Sequence, residues 1–284
     1  MRVKNTEYNI TTIFVTDGGD RETVAAIDEA LSEGRGVLAV GLSGHIYRDP
    51  KLGLSSSDIR DRHREPTPRT VETFDDAANF GKVMHARVTG VGPAPTVFPA
   101  SSWADPRHRH TRNQLVAGGG LPLLMSQWPR LGAMWARFHT DRHVRALFRE
   151  GGKPLPEVAV FWVDEFSGLK LKARPDFLTT TRILDYKTLP AGKSFREEAR
   201  KWGYDLQAAW YQQGVFALTG TRLPFTFITQ SVEAPYRVGV HQIGERKLEE
   251  ASTKIMFALN EIRQEVGGAD VLDPVGKGNH YDQL

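Results

Sequence analysis

The sequence predicts an α/β fold in which a central mixed β-sheet is flanked by helices. Segments with apolar residues at helical spacing alternate along the chain with short apolar or alternating runs. Between residues 157 and 187, strand-like runs are separated by turn residues at hairpin spacing. Amphipathic stretches bracket that cluster on both sides.

Taken in order, residues 8–15 read as a strand, 21–32 as a helix and 36–42 as an apolar strand. Leu54-Ser55-Ser56-Ser57-Asp58-Ile59-Arg60 opens a short arginine-bearing helix that any of the three serines can cap. A helix starting near Asp75 gathers Phe80, Val83, Met84 and Val88 on one side, with His85 adjoining, until a Gly- and Pro-rich stretch over 90–99 ends it. Residues 101–120 read as the flexible loop of the chain, combining Trp103, Arg107, His108, Arg109, His110 and Arg112 with a closing triple glycine.

Residues 121–149 read as one long helical region. A strand over 157–164, a turn at Phe166-Ser167-Gly168, its return over 169–173 and the segment 176–187 then make one hairpin-linked sheet. Residues 195–218 form an amphipathic helix carrying Trp202, Leu206, Trp210 and Val215, two strands follow over 226–231 and 237–243, and a last helix spans 246–266. With no internal repeat, the expected partition is an extension over 1–50 packed on the core, one α/β domain over 51–270, and a polar tail over 271–284.

Composition narrows the chemistry. The chain has 284 residues, is 40% hydrophobic and carries a formal charge of +3, which permits a nucleic-acid partner without demanding one. It lacks an eighteen-residue apolar run, and its first residues lack the apolar core of a signal peptide, so a soluble intracellular protein with no membrane partner is expected. With no cysteine, disulfides and thiolate metal sites are excluded, and any metal needs carboxylates, imidazoles and carbonyls.

The densest chemistry lies in Arg174-Pro175-Asp176 followed by Asp185-Tyr186-Lys187. Asp185 and Lys187 are two apart on a strand and share one face, with Leu184 and Tyr186 on the other. Two carboxylates buried together repel unless a cation neutralises them, and hard divalent ions with oxygen ligands meet that need. Lys187 then positions or deprotonates a water.

Further residues suit the same chemistry, each beside a plainer reading. Glu157 opens a strand where it reaches a metal or a water, or is an exposed strand-end acid. His85, four residues after Gly81 on one helix face, supplies a nitrogen ligand or is a core histidine. Gln207 and Tyr211, also four apart, hold a phosphate, buttress Lys187, or merely pack. Ser57 binds a terminal phosphate or caps its helix. Arg107, Arg109 and Arg112 contact a DNA backbone or form a solvated charged loop.

The ordered set resembles a known family: Leu54-Ser55-Ser56-Ser57, Gly81 and His85, Glu157, Arg174-Pro175-Asp176, Asp185-x-Lys187, then Gln207 and Tyr211. It looks like the RecE-type phage exonucleases of the PD-(D/E)xK superfamily and is more distantly similar to lambda exonuclease. The resemblance implies a restriction-endonuclease-like core and a Mg2+-dependent (or Mn2+-dependent) exodeoxyribonuclease, with two ions per site, digesting linear duplex DNA 5′→3′ to leave 3′ overhangs for strand annealing.

By the same resemblance His85, Asp176, Asp185 and the Tyr186 carbonyl ligate metal, Lys187 activates the nucleophile, and Glu157, Gln207 and Tyr211 support catalysis. Ser57, Arg174, Arg107, Arg109 and Arg112 fall to DNA or phosphate. A homo-oligomeric ring (trimer or tetramer), a single-strand annealing partner, and the cytoplasm of a bacterium or phage-infected host complete the expectation. The alternatives are a single-strand or end-resecting nuclease of the same superfamily, tied to a helicase or to CRISPR adaptation, and a non-catalytic DNA-end-binding module.

Overall fold

Near the N-terminus, β1 (Arg2–Asn5) runs antiparallel to β2 (Ile10–Phe14), and α1 (Asp20–Ser32) carries the chain to β3 (Gly36–Val40), parallel to β2. In this computed structural model the described residues are 2–5, 10–15, 20–62 and 74–266; the tail over 271–284 lies outside them. Thr23, Ala26, Ile27, Ala30 and Leu31 recur at helical spacing, and α1 turns that stripe onto the sheet, where Ile27 and Leu31 share a cluster with Val37, Ala39 and Phe161.

Next come α2 (Gly44–Tyr47), capped by the Ser43 hydroxyl, a 3-10 turn (Pro50–Leu52) and α3 (Ser56–Arg62). Between them the chain is laced to a later strand: Leu54 donates its N–H to the Lys170 carbonyl at 2.9 Å, and Lys172 returns one to Leu54 at 2.8 Å. Gly53 permits that approach, with φ at +110° and an imagined Cβ only 2.2 Å from the Lys170 oxygen. Helix α4 (Asp76–Thr89) begins where Asp75 accepts the Ala77 and Ala78 N–H groups and ends at left-handed Gly90.

After β4 (Thr96–Phe98), the stretch expected to be a flexible loop contains a helix, α5 (Pro106–Ala117). Asp105 accepts the Arg107 N–H and Pro106 occupies the first turn, a start signal that outweighs the charged composition. The long helix expected over 121–149 is also divided. It contains β5 (Pro122–Leu124), a 3-10 turn (Met125–Gln127), α6 (Trp128–Thr140) and α7 (Arg142–Glu150). Asp141 ends α6 in extended backbone and caps α7 through the His143 and Val144 N–H groups.

The next strands are β6 (Leu155–Pro156), β7 (Ala159–Val163), β8 (Lys170–Ala173), β9 (Phe177–Leu178) and β10 (Ile183–Leu189). These do not make one hairpin-linked sheet, as the spacing suggested. Strands β7 and β8 join the N-terminal strands in the order β1-β2-β3-β7-β8. Strands β6, β9 and β10 join β11 (Phe225–Ser231) and β12 (Val238–His241) in the order β12-β11-β10-β9-β6. Each of these two five-stranded sheets is mixed, through the parallel pairs β2–β3 and β10–β11, while β4 and β5 form a separate parallel pair.

The expected helix over 195–218 is two, α8 (Phe195–Trp202) and α9 (Tyr204–Thr219), divided by Gly203 at φ 64°. The α10 helix (Glu245–Glu265) closes the described chain. Helix α9 contributes the fully buried Trp210, whose indole N–H donates to the Lys172 carbonyl at 2.9 Å, to a core that also takes Val158, Val160 and Leu171. On the other face of β10, Leu184 and Tyr186 pack with Phe80, Met84, Met134 and Phe138 of α4 and α6. The mixed sheets flanked by helices thus agree with the predicted fold class.

Because Gly53 combines a positive φ with backbone contact, Gly53→Ala should lower the stability measured by urea unfolding by more than about 1 kcal/mol. An unchanged midpoint would refute the docking of this loop on β8.

Candidate active site

Two short connections pass directly between the two five-stranded sheets, β6 to β7 and β8 to β9, and an acid lies in each. Glu157 stands between β6 and β7, with φ at +49°, an uncommon conformation for a side chain of this size. Asp176 stands between β8 and β9, and its carbonyl accepts the Glu157 N–H at 3.0 Å. The sequence had read Glu157 as the first residue of a strand; it is instead the corner that redirects the chain, and its side chain is buried.

From the neighbouring β10, Asp185 and Lys187 emerge on one face and form an ion pair through Asp185 Oδ1. Helix α4 brings His85, whose Nε2 lies 2.9 Å from Asp176 Oδ1 and 3.4 Å from Glu157 Oε1. Asp176 Oδ2 accepts the Tyr186 N–H at 2.6 Å. A strand residue turns its N–H and C=O to the same edge, so the Tyr186 carbonyl faces the Asp176 side. Gln207 of α9 donates to Asp185 Oδ2 at 2.9 Å, and the Arg174 Nε approaches Glu157 Oε2 to 2.8 Å.

One donor atom each from His85, Glu157 and Asp176 lies within 4.8 Å of the other two. The donor set suits a hard divalent cation: carboxylates, an imidazole and a main-chain carbonyl, with no thiolate. The electrostatics agree. Burial and the charge of Asp176 push the Asp185 carboxyl up to about 6, against the pull of Lys187. Burial also raises Glu157, opposed by Arg174. Burial pushes Asp176 up as well, but His85, Lys187 and the Tyr186 N–H outweigh it and hold the carboxyl below its usual range. Such crowding of acids is what a bound cation relieves.

The two cations of the site respond in kind. Burial disfavours the Lys187 ammonium, yet Asp185 and Asp176 more than compensate and raise it above the usual lysine range, so it acts as charge and donor. Burial likewise pulls His85 down, but the charge and hydrogen bond of Asp176, with Glu157, lift it to about 9.

Lys187 separates two clefts. One, of about 340 Å³, is lined by Gly81, Lys82, His85, Thr188 and Tyr204. The other, of about 350 Å³, takes Ser55, Ser57, Arg60, Gln207 and Tyr211. Ser57 therefore lies across Lys187 from His85, and the Ser55 hydroxyl contacts both Ser57 Oγ, at 2.8 Å, and Asp58, at 2.7 Å.

The arginines of the expected loop are elsewhere. Arg107 is paired with Asp105, and Arg112 is buried with its guanidinium 4.2 Å from the Phe74 ring centroid and 5.2 Å from that of Trp103. Arg109 lies exposed on the same helix. Sequence reasoning missed Tyr204, which sits under the Lys187 ammonium at 5.5 Å, and Tyr47, which touches Arg174. Only the helix-restarting glycine before Tyr204 gave any signal; Tyr47 lay in a segment with no assigned role.

In protein stripped of divalent ions, the raised His85 value has a definite stability signature. Its contribution is complete below pH 6.5 and is lost as pH climbs through about 9. Thermal melts in EDTA should therefore show the gap between wild type and His85→Ala shrinking across that window. A gap independent of pH would contradict the imidazolium–carboxylate pairing.

A search of curated proteins finds no match. Among solved structures, a candidate exonuclease from Eubacterium rectale superposes with a TM-score of 0.55 at 18% identity, over 80% of this chain and 88% of that one. The alkaline exonuclease LHK-Exo from Laribacter hongkongensis gives a TM-score of 0.31 at 15% identity, over 75% and 89% of the two chains. A family profile described as a PDDEXK-like domain of unknown function (DUF3799) matches residues 120–271, more than half of the chain. That span includes Glu157, Asp176, Asp185 and Lys187, and the chain belongs to this PDDEXK-like family.

Proposed function

We propose that the protein is a Mg2+- or Mn2+-dependent exodeoxyribonuclease acting 5′→3′ on linear duplex DNA and leaving 3′ single-stranded overhangs for annealing. One observation carries the reading: His85, Glu157 and Asp176 converge within 4.8 Å beside the Asp185–Lys187 pair, between two open clefts. The PDDEXK-like family and the exonuclease description of the Eubacterium rectale structure support it. Polarity, a ring-shaped homo-oligomer and an annealing partner follow from the likeness of the motif order to the RecE-type enzymes.

In this reading His85, Asp176, Asp185 and the Tyr186 carbonyl hold the metal, with Glu157 reaching it directly or through water. When bound, a divalent ion supplies Lewis acidity to the phosphate and acidifies water. Lys187, anchored on Asp185, donates to the attacking water or to a phosphate oxygen and offsets the charge that builds in the transition state. Gln207 fixes the second oxygen of Asp185, so the carboxylate and the ammonium keep one orientation. Tyr211 and Ser57 line the cleft that receives the strand end, and the exposed Arg109 of α5 contacts the DNA backbone away from that cleft.

Asp176→Ala and Lys187→Ala should each cut digestion of 5′-phosphorylated linear duplex by about 100-fold or more while circular dichroism stays unchanged. EDTA should abolish wild-type digestion, and closed circles should survive. Full activity in either variant would refute the site. Loss of single strands alone would favour an end-resecting nuclease, and DNA binding without cleavage would favour a recruitment module.

A further inference from the structure

Arg174 occupies a position that simple phosphate binding does not explain. Its Nε lies 2.8 Å from Glu157 Oε2, while Glu157 directs Oε1 at His85 Nε2, 3.4 Å away. The two oxygens of one buried carboxylate are thus divided between an arginine and the proposed metal-holding cluster. The backbone beneath that carboxylate is the positive-φ corner between the sheets, so its orientation is not dictated by a strand. Something else has to hold it.

The far side of the guanidinium meets α2. Its central carbon sits 4.8 Å from the Tyr47 ring centroid, and an imagined Cβ on Gly44 would lie 3.6 and 3.8 Å from its two terminal nitrogens. Those are ordinary van der Waals distances, so Gly44 borders the guanidinium closely and a methyl group there would still fit. Tyr47 is itself fixed. Lys172, two residues before Arg174, approaches the same ring to 5.5 Å and donates from Nζ to the Asp49 carbonyl at 2.9 Å, just past the end of α2. Phe161 packs against the ring at 6.2 Å between centroids, and the ring also lines the cleft that holds Ser55 and Ser57.

We infer that Arg174 is a positioning residue for Glu157, and that Tyr47 of α2 is the aromatic platform that holds its guanidinium in place. A short helix far from the family-matched residues 120–271 is thereby a working part of the site. The arrangement uses features specific to arginine, a planar face for stacking and an edge N–H for the carboxylate. The inference rests on the metal-binding reading above. Partners that orient a metal ligand without touching the metal are commonly worth about 10–100-fold in affinity.

The test is Mn2+ binding to the full chain by isothermal titration calorimetry, with a thermal melt on each variant as the folding control. Arg174→Gln and Arg174→Lys should both weaken Mn2+ binding by about tenfold or more. Tyr47→Leu should weaken it by about tenfold, whereas Tyr47→Phe, which keeps the ring, should stay within about twofold of wild type. Wild-type affinity in folded Tyr47→Leu would overturn the inference, as would equal damage in Tyr47→Phe. Should Tyr47→Leu fail to fold, the arginine variants decide: wild-type Mn2+ affinity in Arg174→Lys defeats the proposal. A wild-type protein that binds Mn2+ but digests no DNA would defeat the nuclease reading alone, and one that binds no Mn2+ would defeat both.

Discussion

The hydrogen bond from the Glu157 N–H to the Asp176 carbonyl ties together the two short connections that pass directly between the five-stranded sheets. Most of the site depends on that seam. Strands β6 and β9 leave it on one side and β7 and β8 on the other, so neither acid sits inside a regular ladder and both side chains turn into the gap between the sheets. The Asp185–Lys187 face of β10 opens onto the same gap because β10 pairs with β9 in the register Leu184 to Phe177, which brings residue 185 alongside residue 176. Helices then fill the two flanks, α4 with His85 and α9 with Gln207.

A charge argument explains why this gap is polar when its surroundings are not. Asp176 and Asp185 are buried among Phe177, Leu184, Tyr186 and Phe227, where ionised carboxylates are costly unless paired. The chain answers with His85, Lys187 and Arg174, one cation for each of the three acids. Each pair is made through one oxygen or ring nitrogen, and the second oxygens of Asp176 and Asp185 are taken by the Tyr186 N–H and the Gln207 amide. Orientation is thus fixed on both sides of each carboxylate, the preorganisation that hydrolysis of a phosphodiester requires.

Much of this was legible in the sequence because the informative signals are local. Asp185, Lys187, Leu184 and Tyr186 sort by strand alternation alone, and His85 follows from the helical stripe of Phe80, Val83, Met84 and Val88. What could not be read was non-local. The split of the hairpin run into two sheets depends on β3 pairing with β7, a contact more than a hundred residues apart in sequence, and on positive φ at Glu157. The division of 195–218 turned on whether Gly203 adopts the left-handed region or stays helical, which a glycine permits equally. The charged composition of α5 masks the Asp105-Pro106 start signal, and the link from Tyr47 to Glu157 joins three segments distant in sequence.

The central claim is that His85, Glu157 and Asp176 share one divalent cation. Anomalous diffraction from crystals soaked in Mn2+ tests it most directly. The account predicts a strong peak bonded to His85 Nε2, Asp176 and Asp185, with Glu157 bound to it or to its water. A peak elsewhere on the chain, with His85, Glu157 and Asp176 keeping their present partners, would contradict it.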